Sequence, residues 1–480
     1  MISKKIVKNT AYNFAYNLLN VIFPLVTVPV VSRVLLSSGL GKVNYASNIV
    51  GWFTLFAALG IPRYGVREVA KRKTNQLELN KCFSEIFLIN TVSTIISSLA
   101  YVTSIIVFPY FRKEVLLYFV AGVQLFFNVF NVDWFYQGIE EYGYITKRSF
   151  FVKLISLIAI LCLVRSREDY IIYALIQNIA TIGNYVLNVI HLRKYISFSN
   201  DKLHFKKHLK SIFLLLSTTL AISIYSLLDV TMVGAFCGDS AVGYYTNVHK
   251  IINTLAIVST SLGGVLLPQL VSYYSKNELG KLEELSEKVL SIILVVTVPI
   301  STGLFILSPY IVSVLFGNDF IPAIPTMKIF APFIVLNTLG NFYGTQLLMA
   351  FNKEKELLYT VVIGAILNFM LNILLIRIIQ QNGAAIASVV EELIVMLIQR
   401  HIAKKAVRIN INYFEVVKIM LMNAFLIISV LLVCSIFSNP LIIMVVSFLI
   451  GVVSYALIGY IVKEEVVCTI INKKSKSIDF

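Results

Sequence analysis

The sequence predicts an all-α polytopic membrane protein of fourteen transmembrane helices, arranged as two parallel six-helix lobes followed by a C-terminal pair. Three observations lead there: the apolar load, the spacing of the apolar runs, and the placement of basic residues between them. Of the 480 residues, 58% are hydrophobic and 14% charged, against ~45–50% and ~25% in a soluble domain; the mean hydropathy is +0.82. So large an apolar share excludes disorder. The formal charge of +16 does not point to nucleic acid, because the basic residues come in short bursts between apolar runs rather than along one polar face.

A window of ~20 residues, the length that crosses a hydrocarbon core as helix, marks spans near 11–36, 43–62, 82–108, 115–135, 148–165, 169–190, 211–236, 244–264, 289–309, 327–350, 357–376, 383–400, 416–437 and 440–462. The first is too long for a secretory core and has no small-residue cleavage pattern, so it reads as a retained span. The connections are short and leave no room for a soluble domain. Lys and Arg alternate between them: 32 of the 41 fall at one face, six at the other (Lys42, Arg112, Lys113, Arg165, Arg167, Arg377), and Arg33, Lys250 and Lys328 within or at the edge of spans. Basic short loops stay cytoplasmic. Both termini are therefore expected on the cytoplasmic side.

One weak internal repeat supports the lobes. GKVNYASNI (Gly41 to Ile49) and GYYTNVHKI (Gly243 to Ile251) each begin with glycine at an outer turn and open the next span. The offset of six spans superposes two lobes in the same orientation, which gives parallel repeats about an axis along the membrane normal. The expected division is 1–209, 210–409 and a C-terminal appendix, 410–480.

Charges inside spans are costly and mark functional sites by default. The candidate anion-binding cations are Arg33, which follows the bend-making Pro24 and Pro29, Lys250, two turns into the eighth span, and Lys328, which begins the tenth. Snorkelling to the interface is the competing account of Arg33 and Lys328. Asp229 lies deep in the seventh span, and Glu391 and Glu392 near the middle of the twelfth; each is a candidate for a coupling cation or proton, or for a buried pair. Adjacent glutamates point ~100° apart on a helix, so one of the two is expected to face a cavity. His249 reads as a packing residue, and Asn20, Asn368 and Asn372 as interhelical hydrogen-bonding groups.

Enzymatic chemistry finds little support. There is no GxxxxGK[ST], HExxH or GxSxG. The five scattered cysteines give neither a disulfide framework nor a zinc spacing; neither cofactor nor metal is expected. The longest outer connection, 309–326, carries Asp319 as its only charge, a poor setting for a glycan polymerase or ligase. Cations in the outer half of a cavity with acids deeper suit a transporter that binds an anionic headgroup and releases it when a coupling ion occupies the acids.

Four segments then carry a family resemblance. NVDWFYQGIEEYGYITKRS (Asn131 to Ser149), LGIPRYGVREVAKRK (Leu59 to Lys73), GLGKVNYASNIVGWF (Gly39 to Phe53) and DVTMVGAFCGDSAVGYY (Asp229 to Tyr245) resemble the loops and turns of the Wzx-type polysaccharide flippases. These form a branch of the MOP superfamily, which also holds the MATE exporters and the lipid II flippase. The resemblance spans essentially the whole chain, with DWFYQGIE its most specific part. It implies translocation of undecaprenyl-pyrophosphate-linked oligosaccharide repeat units, for capsule or O-antigen-type glycans, by alternating access. It also implies that Arg33 and Lys250 contact the pyrophosphate, that residues 416–462 form a groove for the lipid tail, and that membrane lipids and a glycan polymerase are partners. The second span lacks the basic residues that lipid II flippases carry there. Asp133, Trp134, Gln137 and Gly138 are read as a gating element or as a structural helix end. A MATE-like exporter of drugs or metabolites is the alternative on the same fold, and it would favour acidic cavity residues.

Overall fold

The computed structural model describes residues 4–198, 203–264, 267–407 and 413–471. Among them there are helices and no strands, as lipid solvation requires when backbone groups must be satisfied within the segment. In order these are α1 (Lys4–Ala58), α2 (Ile61–Arg72), α3 (Gln76–Val107), α4 (Pro109–Arg112), α5 (Val115–Phe126), α6 (Asp133–Gly138), α7 (Tyr142–Leu163), α8 (Tyr170–Leu192), α9 (Lys206–Cys237), α10 (Asp239–Gly264), α11 (Leu267–Ser275) and α12 (Leu279–Phe316), then α13 (Ile324–Phe330), α14 (Phe333–Gly340), α15 (Glu354–Ile379), α16 (Gln381–Lys404), α17 (Tyr413–Ile436), α18 (Pro440–Ile461) and α19 (Glu465–Ile471).

The fourteen expected intervals fall mostly on helical backbone, with breaks inside 43–62, 115–135 and 327–350. By length and apolarity the described residues hold eight membrane-crossing helices, or nine with the bent pair Asn318–Phe330 and Phe333–Leu348. Part of the difference from fourteen has physical causes. The first two intervals share one helix, α1, which breaks at Leu36 (φ 58, ψ −177), a conformation a branched side chain adopts only under strain. In α7, every window long enough to cross contains Lys147, Arg148 and Lys153. The tenth interval passes from α13 through α14 into a π-helix, Asn341–Leu348, a form that often marks functional positions.

Two compact units divide the chain, Met1–Gly243 and Tyr244–Phe480. In the first, α1 packs against α3, α5, α7 and α9. Its core at the α2 end joins Tyr64, Phe83, Ile86, Trp134, Phe135 and Ile212. Gly65 of α2 permits the closest approach there: an added Cβ would lie 2.3 Å from the Trp134 ring, so a larger residue would expel the indole. The glycines of the internal repeat, expected at turns, lie instead on the helical backbone of α1 and α10 and meet inside this unit. A Cβ on Gly243 would lie 2.1 Å from the Ser37 carbonyl oxygen, and one on Gly41 1.7 Å from that of Asp239; only hydrogen fits between these backbones. In the second unit α15 packs on α16, and α17 and α18 pack on each other and on α12 through a core that includes Met422, Leu426, Val430 and Ile443.

Candidate functional site

The cations singled out by the sequence occupy different settings. Arg33 is exposed on α1, three residues before the break at Leu36. Lys250 is half-buried on α10. Lys328 is half-buried on α13, with its ammonium 5.6 Å from the centre of the Phe305 ring, a cation–π contact. Arg33 belongs to the first unit, and Lys250 and Lys328 to the second.

The acids are better enclosed. Asp229 of α9 is 2% exposed. From α1, Asn48 Nδ2 donates to the Leu227 carbonyl of α9 at 3.1 Å and to Thr231 Oγ1 at 2.8 Å, and Trp52 Nε1 donates to Thr231 Oγ1 at 3.0 Å. These bonds lock α9 to the second half of α1. Glu391 and Glu392 of α16 diverge as adjacent helical positions must. Glu391 Oε1 lies against Gly364 of α15, and Glu392 Oε1 against Gly340 of α14. Each carboxylate occupies the notch that a glycine leaves in a neighbouring helix. Asn372 Nδ2 donates to Asn368 Oδ1 at 2.9 Å, both side chains being fully buried on α15.

Asp133, the first residue of the DWFYQG helix, is held in an ion pair that sequence reading missed. Arg148 Nη1 and Nη2 donate to the two Asp133 oxygens at 2.9 and 3.3 Å, a bidentate fork. Asn188 Nδ2 donates to the same carboxylate at 2.6 Å and Asn188 Oδ1 accepts from Arg148. Arg148 is 3% exposed and Asp133 25%. Trp134 stacks on Phe83 at 5.4 Å, Gly138 is buried, and Gln137 is half-buried. Asp133 is thus fixed to α7 and α8 from one side while Trp134 is seated on α2 from the other.

A second network went unread because its members are far apart in sequence. Glu85 of α3, His208 of α9 and Tyr64 of α2 are 0%, 1% and 4% exposed. The Tyr64 hydroxyl is 2.6 Å from His208 Nδ1, and His208 Nε2 is 2.8 Å from Glu85 Oε2. A neutral imidazole accepting from tyrosine and donating to the carboxylate satisfies both contacts. Lys207 Nζ reaches Glu85 Oε2 at 2.8 Å, and the His204 amide donates to Glu85 Oε1 at 2.8 Å. One carboxylate therefore anchors the start of α9.

At another end of the same unit a cavity of about 350 Å³ opens among Lys42, Tyr110, Glu114, Tyr118, Gly238 and Asp239. Glu114 pairs with Lys42 and accepts from the Tyr170 hydroxyl at 2.8 Å. Burial alone would raise its carboxyl; these hydrogen bonds outweigh it and hold it below its ordinary value. Asp239 is pushed up by burial, which the nearby Lys42 charge offsets only in part. Lys42, Gly238 and Asp239 fall in two of the segments that carry the family resemblance, but nothing local shows that they meet Tyr110, Glu114 and Tyr118 around one cavity.

Residues 6–274 match the family model described as "Polysaccharide biosynthesis protein", and residues 150–460 match that described as "Lipid II flippase MurJ". An Escherichia coli (strain K12) protein described provisionally as an O-antigen transporter is 22% identical over 379 residues, covering 78% of this chain and 91% of that one. A Haloferax volcanii protein, provisionally a low-salt glycan biosynthesis flippase, is 26% identical over 40% of each chain. Among solved structures, the lipid II flippase MurJ in an inward closed conformation superposes with a TM-score of 0.74 at 15% identity, covering 96% of this chain and 100% of that one. An inward-facing MATE multidrug transporter of the MOP superfamily gives 0.61 at 13% identity, covering 82% and 98%. At these identities the structural likeness is one of fold.

Proposed function

The chain belongs to the polysaccharide biosynthesis protein family, and from that premise we propose that it is a flippase moving lipid-linked oligosaccharide units across the bacterial cytoplasmic membrane, from the inner to the outer leaflet. The observation that carries the reading is the family match over residues 6–274 on a multi-pass helical body. The O-antigen transporter and glycan flippase relatives support the substrate class. The coupling is by a cation or proton, both termini are cytoplasmic, and a glycan polymerase consumes the product outside.

Charge and hydrophobicity divide the work. The pyrophosphate is drawn to Arg33 and Lys250, with Lys328 as a further cation. The polyprenyl tail stays in lipid, where each methylene contributes ~0.8 kcal/mol, so only the headgroup crosses. A coupling ion at Asp229, Glu391 or Glu392 adds positive charge near the acids and shifts the balance toward release. The Asp133–Trp134 segment, with Gln137 and Gly138, acts as an inner gating element, its carboxylate held by Arg148. Alternating access by the two lobes, 1–209 and 210–409, carries the headgroup across, and residues 416–462 form the groove for the lipid tail.

Gene deletion followed by lipid analysis tests the reading. Complete lipid-linked units accumulating on the cytoplasmic side support it. Units already outside but unpolymerised would indicate a polymerase, and unchanged lipid intermediates with altered drug sensitivity would indicate a MATE-like exporter.

A further inference from the structure

The cavity at the junction of α1, α5, α9 and α10 has a chemistry distinct from that of the membrane cations. Two ammoniums, Lys42 and Lys113, face two carboxylates, Glu114 and Asp239, so its formal charges cancel. A pyrophosphate or a cationic drug would find no net attraction there. Hydrogen-bonding capacity remains instead. Lys42 and Glu114 engage each other, and Asp239 and Lys113 line the cavity beside them. Tyr118 contributes a buried aromatic face, and Tyr110 packs edge-on to Tyr45 at 5.8 Å. One wall is bare backbone. Gly238 has φ 81, a conformation for which glycine is the default residue, and a Cβ there would meet nothing within 4 Å. At about 350 Å³ the cavity is at the small end of ligand pockets, the scale of a mono- or disaccharide.

We propose that this cavity is a sugar-binding subsite, taking a neutral pyranose of the glycan headgroup through the Asp239 carboxylate, the Lys113 ammonium and the Tyr118 and Tyr110 rings. Acceptors and donors side by side suit vicinal hydroxyls, each of which both gives and takes a hydrogen bond. Amphipathic tyrosines suit the apolar face of a sugar ring. The subsite rests on the flippase reading and deepens it. Lys42, Arg112 and Lys113 belong to the minority of basic residues at the face proposed as outer, so the cavity holds the sugar on the exit side.

Purified full-length protein in lipid nanodiscs is titrated with methyl glycosides of glucose, galactose and N-acetylglucosamine, binding being read by saturation-transfer NMR. At least one glycoside binds saturably, and Asp239→Asn weakens it about tenfold, equivalent to ~1.4 kcal/mol. Lys113→Ala, on an exposed side chain, weakens it in the same direction without disturbing the fold. Inorganic pyrophosphate does not compete. No saturable glycoside binding, binding indifferent to both substitutions, or competition by pyrophosphate each overturns the subsite. Cytoplasmic accumulation of lipid-linked units on gene deletion, with no glycoside binding, would remove the subsite and leave the flippase reading intact; glycoside binding without that accumulation would do the reverse.

Discussion

Arg148 ties three helices of the first unit together through Asp133 and Asn188. Its removal leaves the Asp133 carboxylate and the Asn188 amide without their fork, and charged hydrogen bonds of this kind are worth ~1.5–3 kcal/mol each before solvent screening. Arg148→Ala therefore lowers stability by roughly 2–3 kcal/mol, measured by thermal unfolding in detergent. Arg148→Lys recovers only part, because a point charge cannot reproduce a bidentate fork. At the other network, Tyr64→Phe removes one neutral bond to His208 and costs about 1 kcal/mol; Glu85→Ala strands His208, Lys207 and the His204 amide together and costs more. At the cavity, Asp239 titrates from above its ordinary 3.8 and Glu114 from below its ordinary 4.5. As pH falls, Asp239 is the first to lose its charge, while the Lys42–Glu114 pair persists. Lys42, Lys113, Glu114, Tyr45, Tyr110 and Tyr118 are the titratable groups around it. Glycoside binding is predicted to weaken on acidification at pH values still above 3.8, and Asp239→Asn abolishes that dependence in the same NMR titration.

Sequence periodicity located the elements well because a helix in lipid must be long, apolar and internally bonded. What it could not locate were interruptions that leave the apolar run intact. The break in α1 falls on Leu36, not on Pro24 or Pro29, and both prolines lie inside continuous helix. Strain at a leucine with φ 58 costs ~1–3 kcal/mol. Leu36→Gly is accordingly predicted to be tolerated, with export and membrane level near wild type by immunoblot and glycan assay. Gly243→Val is predicted to fail both assays, since the added side chain would occupy the Ser37 carbonyl. The repeat that pointed to Gly41 and Gly243 as turn residues thus identified positions where two backbones meet. Asp229 and the adjacent Glu391 and Glu392 were legible as buried acids because short charged stems inside apolar runs stand out. The glycine notches of Gly340 and Gly364 were not, since which helix faces which is a tertiary fact.

On the scale of the whole molecule, the fold class and the flippase family were legible from the apolar load, the basic-loop alternation and DWFYQGIE. The Asp133–Arg148 pair, the Glu85–His208–Tyr64 network and the cavity were not. The network and the cavity join residues from distant segments; Asp133 and Arg148 are only fifteen residues apart in one motif, but their fork is closed by Asn188 of α8, which no local spacing encodes. On the proposed orientation most of the +16 charge faces an anionic leaflet, so binding of the substrate falls to a few cations within the spans. The most direct test is the double substitution Arg33→Ala with Lys250→Ala, scored for glycan export, sidedness of the lipid-linked unit and protein level in the membrane. Lost export with cytoplasmic accumulation at wild-type protein level is the predicted result; wild-type export would contradict the account.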